Sequence, residues 1–152
     1  MADNLNALED WAGHLLAQLA PAARSKLARQ AAQALRRNQQ QRIGAQRNPD
    51  GSAFARRKAP RLRAKQGRVQ RKAKMFMKLK TARHLKARGS ADAITVGFTG
   101  RVARMARVHH YGLRERPGRN TPEVQYSRRQ LLGLTDADLD MIRDLLLAQL
   151  TL

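Results

Sequence analysis

Apolar residues return every three to four positions near both ends of the chain. Leu5, Leu8, Ala12, Leu15, Leu16 and Leu19 make one stripe and predict a helix over roughly Asn4–Leu19. Pro21 suits the first turn of a second helix that runs to about Gln46. That helix is built mostly from Ala, Gln and Arg, which form helices well. Its stripe is thin (Leu27, Ala31, Ala34, Leu35, Ile43), so Arg29, Arg36, Arg37 and Arg42 are expected at its surface. Asn48-Pro49-Asp50-Gly51 then predicts a turn, because Pro fixes φ and Gly accepts a positive one. The period changes to two in Ala93–Thr99, which predicts a strand with Ile94, Val96 and Phe98 on one face. Gly89-Ser90-Ala91-Asp92 reads as a hairpin turn and makes Thr81–Arg88 the partner strand. Val102–His110 reads as a short helix with Val102, Met105, Ala106 and His109 on one side, ended by Gly112. A loop marked by Gly118, Asn120 and Pro122 leads to a further strand at Val124–Arg128. Thr135, with Asp138 three residues on, predicts a capped final helix. Leu139, Ile142, Leu145, Leu146 and Leu150 supply its apolar face, which Gln149 interrupts near the end. Leu139, Ile142, Leu146 and Leu150 are assigned to packing or to a subunit interface.

These elements predict an α+β fold with N-terminal helices, a small antiparallel sheet and a C-terminal amphipathic helix. The 152 residues suffice for one domain, 1–152, with one modest core. Arg56–Lys74 has few apolar residues and no period, and Pro60 and Gly67 break it. It reads as a basic, mobile loop at about 52–75. Met75, Phe76, Met77 and Leu79 return the chain to the core.

Charge changes the picture. Lys and Arg number 31 against 11 Asp and Glu, a net charge of +20. Both ends are acidic, and Ser52–Ala91 holds no acidic residue. Such a chain repels itself unless something negative faces it. Candidate polyanion contacts are Arg56, Arg57, Lys58, Arg61, Arg63, Lys65, Arg68, Arg71, Lys72 and Lys74. Phosphate contact is the functional reading, since Lys and Arg release condensed counterions there. A solvated segment, or one docked on an acidic neighbour, is the competing one. Only Phe54 and Phe76 accompany the run, so base stacking and sequence readout are unsupported.

Other chemistry is thin. The chain has no Cys, which removes disulfides, thiol catalysis and Cys-based zinc sites. His109 and His110 are adjacent and do not converge on one ion, and His14 and His84 are distant in sequence. No nucleophile–base set, carboxylate pair or phosphate loop is present, so no catalytic, metal or cofactor site is expected. Residues 1–20 carry no Lys or Arg and do not look like a signal peptide. No apolar run is long enough for a membrane span. The expected setting is the cytoplasm of a cell.

Four segments, in order, resemble the phage virion morphogenesis, or tail-completion, proteins of contractile-tailed phages. They are Asn48–Phe54 with the basic run after it, Ala93–Gly100, Ala106–Gly112, and Arg129-Gln130-Leu131-Leu132-Gly133-Leu134 before the acidic helix start. The likeness spans about residues 5 to 150; many relatives carry Gln at position 110 and Pro at 130. The resemblance implies a small α+β protein at the top of the tail that completes it for joining to a DNA-filled head. Similar neck proteins act as rings, often hexamers. The implied partners are therefore further copies of this chain, neighbouring tail or neck proteins and, non-specifically, double-stranded DNA, with no membrane. The implied location is the virion tail or neck, after assembly in the host cytoplasm. The alternative function is a stand-alone, non-specific nucleic-acid-binding accessory protein. Within the third segment, His109, Tyr111 and Gly112 read as a structural junction, with Val108 and Tyr111 at least partly buried.

Overall fold

The computed structural model describes residues 2–58 and 74–150. In order these form α1 (Ala2–Gln18), α2 (Pro21–Gly44), β1 (Leu85–Gly89), β2 (Ile94–Phe98), α3 (Val102–Tyr111), β3 (Arg114–Glu115), β4 (Val124–Gln125) and α4 (Asp136–Leu150). The fold is α+β. α2 is its spine: 24 residues give a rod about 36 Å long. Leu27, Ala31, Leu35, Gln39 and Ile43 recur every four residues along it and are all buried, joined by Ala28 and Ala32.

Small side chains on that stripe let a strand lie directly on the helix. A Cβ on Gly89 would stand 2.3 Å from the backbone carbon of Ala28 and 2.3 Å from the nitrogen of Arg29. β1 pairs antiparallel with β2, from Leu85 opposite Phe98 to Gly89 opposite Ile94. Leu85, Ala87, Gly89, Ile94, Val96 and Phe98 therefore share the face turned to α2, because side chains alternate along a strand. β3 and β4 form a second, two-residue ladder.

The core has two parts. At the C-terminal end of α2, buried Ile43, Phe54, Leu79, Ala106 and Leu131 pack together, with Met75, Phe76, Phe98 and Val102 against them. At the other end, Ala12, Leu27 and Leu146 join α1, α2 and α4, flanked by Leu16, Leu19, Ile142 and Leu145. α4 starts as a capping box. The Asp138 carboxylate accepts from the N–H and hydroxyl of Thr135, both at 3.0 Å, and the Thr135 hydroxyl accepts from the Asp138 N–H at 3.2 Å.

Several expectations need correction. The partner strand starts at Leu85, because Thr81–His84 curls into a turn in which the Thr81 carbonyl accepts from His84 and Leu85. Val124–Gln125 is only two residues long, and its partner β3 was not foreseen. Met77 (39% exposed) and Met105 (50%) face outward rather than into the core. Arg42 is not a surface residue of α2, and its head is turned into the protein.

Candidate polyanion interface and its supporting network

The described start of the basic run is set by buried groups, not by its own charges. Phe54 anchors the chain in the core at 6% exposure. Just beyond it, the guanidinium of Arg129, itself 4% exposed, donates through Nε to the Ala55 carbonyl (2.7 Å) and through Nη2 to the Arg56 carbonyl (3.0 Å). Its Nη1 lies 3.4 Å from the Ser127 carbonyl and 3.3 Å from His109 Nδ1. The Arg129 N–H also bonds the His109 carbonyl at 2.8 Å. A guanidinium keeps its charge under these conditions, so the carbonyl dipoles balance it. Burial, and then the charge of Arg57, lower its pKa from the ordinary value.

His109 sits edge-on between Phe76 (4.9 Å between ring centres) and Tyr126 (4.8 Å). Burial and then Arg129 push its pKa down, against a smaller upward pull from Glu115. A neutral ring with its proton on Nε2 can accept from Arg129 at Nδ1. His110 faces another way, stacking edge-on with Tyr111 at 4.6 Å while its Nδ1 lies 3.5 Å from the Leu132 N–H. Its pKa is also lowered, by burial, then Arg128 and Arg42. The two histidines thus point apart, and among the described residues no three His, Asp or Glu side chains could hold a metal ion. Gly112 closes α3 in the left-handed conformation (φ 66°, ψ 50°). A Cβ there would meet the Arg128 nitrogen at 2.9 Å. Val108 is buried, but Tyr111 is 59% exposed, contrary to the expected partial burial.

Arg57, Lys58, Lys74 and Lys78 line a groove of about 830 Å³ together with Phe76 and Tyr126, and no carboxylate lines it among the described residues. The Lys58 ammonium reaches the Gln125 carbonyl at 2.7 Å. Arg56 is exposed beside it. Of the candidate contacts, the structure gathers Arg57, Lys58 and Lys74 at this groove. Arg61, Arg63, Lys65, Arg68, Arg71 and Lys72 lie outside the described residues. On α4, Leu139 and Leu146 are buried and Ile142 half-buried toward α1 and α2; the side chain of Leu150 lies outside the described part.

A polar network that the sequence did not announce holds this end of the molecule. Arg42 donates to the carbonyls of Gln130 (3.0 Å), Leu131 (3.2 Å) and Arg47 (3.3 Å), and to the Gln39 side chain. Gln39 pairs with both backbone groups of Gly133, at 3.0 and 3.2 Å. Asp138, 2% exposed, accepts from Asn38 at 2.7 Å, and its charge offsets part of the burial that lowers the Arg42 pKa. The one signal was the segment Arg129–Leu134, where both arginine networks end.

The profile of the phage virion morphogenesis family matches residues 3–151. The chain is also similar to tail completion protein S of Escherichia phage P2, 39% identical over 143 residues, which are 93% of this chain and 94% of that protein. No solved structure matches. The profile spans nearly the whole chain and the relative shares 39% of its residues over 93% of it: the chain belongs to the phage virion morphogenesis family.

Proposed function

We propose that this chain is a structural assembly protein that completes a phage tail and readies it for joining to a DNA-filled head. The carrying observation is its likeness, over nearly its whole length, to a tail completion protein. It works without catalysis: the buried guanidinium groups beside the candidate site are taken up largely by backbone carbonyls. It acts as an oligomer in the tail or neck, a ring of copies, after assembly in the host cytoplasm. The basic segment then faces a polyanion, either DNA in the channel or acidic surfaces of neighbouring tail and neck proteins. The carboxylate-free groove lined by Arg57, Lys58 and Lys74 supports that orientation.

The test is an amber mutation in this gene, followed by electron microscopy of the lysate. Filled heads and separate tails are expected, with joined virions restored when the protein is supplied. Joined, infectious virions in its absence overturn the reading. If virions form normally and the protein instead coats intracellular DNA, the stand-alone nucleic-acid-binding function takes its place.

A further inference from the structure

β2 has one edge paired and one edge open. The bonds from Ser90 N–H to the Ala93 carbonyl (2.8 Å) and from Thr99 N–H to the His84 carbonyl (3.0 Å) fix the phase of the hairpin. Thr95 opposite Arg88 and Gly97 opposite Lys86 therefore turn their backbone groups toward β1. Ile94, Val96 and Phe98 turn theirs away, and none meets a hydrogen-bond partner among the described residues. This edge borders a groove of about 520 Å³ lined by Leu5, Leu8 and Leu134.

Proteins usually guard such an edge with charge, proline or a bulge. β1 is guarded by Lys86 and Arg88. β2 reads Ile94-Thr95-Val96-Gly97-Phe98, with no charge and no proline, and its register with β1 runs without a bulge. An unguarded strand in a chain of +20 is the place where another strand can approach without a clash of cations.

We propose that β2 pairs with β2 of a second copy, antiparallel about a two-fold axis through Val96, to give one four-stranded sheet. The backbone phase above makes Val96 and the partner's Val96 a hydrogen-bonded pair. Ile94 then lies opposite the partner's Phe98 on the apolar face, a favourable cross-strand pair. The contact is isologous, so it closes a pair, and any ring that contains it has an even number of copies. The inference rests on the self-association proposed above and names its surface.

The test is the mass of untagged, full-length protein by sedimentation velocity over a range of concentration. Wild type should contain an even number of copies. Val96→Pro removes one outward N–H and leaves the β1 bonds intact, since proline is tolerated at a sheet edge. It should lower the mass, to monomer from a dimer or to a smaller oligomer from a ring, with helical content unchanged by circular dichroism. Thr95→Lys places a charge on the exposed face of the unguarded strand and should loosen the pair at least several-fold. A wild type that stays monomeric, or forms an odd-numbered ring, overturns the pairing. So does an oligomer whose mass neither Thr95→Lys nor Val96→Pro changes. A monomer that still restores joined virions sinks the strand pairing alone. A β2-dependent pair that does not restore them sinks the tail reading alone.

Discussion

Single residues set how tightly this molecule can close. Gly89 is the tightest case, because any Cβ there enters the backbone of α2. Gly89→Ala should force the hairpin off the helix and cost about 1–3 kcal/mol, the usual range for overpacking. A urea melt that leaves the midpoint unchanged would show that the strand does not sit so close. His109 and His110 make the second case. Burial is the first cause of both lowered pKa values, so the folded rings resist protonation. The unfolded chain takes up protons near the ordinary histidine pKa of about 6.5. Between that value and the lower folded ones it binds more protons, and stability rises with pH there. Stability should accordingly be full above about pH 7 and fall as the pH drops toward 5, before most carboxylates titrate. His109→Phe can fill the gap between Phe76 and Tyr126 and should flatten part of this slope. Denaturant midpoints measured between pH 7.5 and 5.5 decide the matter; an equal slope in the variant assigns it elsewhere.

At the scale of elements, α4 carries the clearest prediction. Ile142 packs into the cluster formed by Ala12, Leu27 and Leu146. Ile142→Asp should unfold the protein or stop assembly, because an unpaired carboxylate there costs more than the roughly 2–5 kcal/mol of a simple truncation to Ala. A soluble variant that still assembles would refute it. Elements of this length were legible in the sequence. Each long helix shows a stripe, α4 also shows its capping box, and β2 alternates cleanly. The misses have physical causes. β3 and β4 are two-residue ladders too short to carry a period. Thr81–His84 looks extended by composition, yet the Thr81 carbonyl closes a local turn by accepting from His84 and Leu85. Arg42 read as surface charge, and Arg129 drew no notice as a buried cation, because burial of a cation depends on carbonyls that only the tertiary fold assembles. The candidate groove was half legible: its cations stand in the sequence, whereas Phe76, Tyr126 and His109 gather from three separate segments.

On the scale of the whole molecule, charge is the dominant quantity. Copies of +20 brought into a ring repel across any gap shorter than the screening length, about 8 Å at physiological salt. Facing the basic segments toward DNA relieves this. The expected signature is duplex binding that weakens steeply with salt and shows little preference for sequence. Changing Arg68, Arg71, Lys72 and Lys74 to Ala should lower the log–log slope by up to about 3–4 units, one per lost phosphate contact. A salt titration in which both proteins bind alike, or wild type does not bind at low salt, rules out DNA as partner of this segment. Failure of the same variant to complete tails would then assign the segment to an acidic protein surface.

The two inward-facing arginines have an evolutionary consequence. Each spreads several donors over carbonyls of different segments, a geometry that a lysine ammonium on its flexible stem cannot reproduce. Arg–Lys exchange should be neutral drift over most of this cationic surface and forbidden at two positions. Arg42→Lys or Arg129→Lys should preserve net charge yet lower the melting temperature clearly more than Arg29→Lys on exposed α2. Across an alignment of relatives, these two sites should keep arginine while their charged neighbours interchange freely; frequent lysine at either would show that charge alone is under selection there.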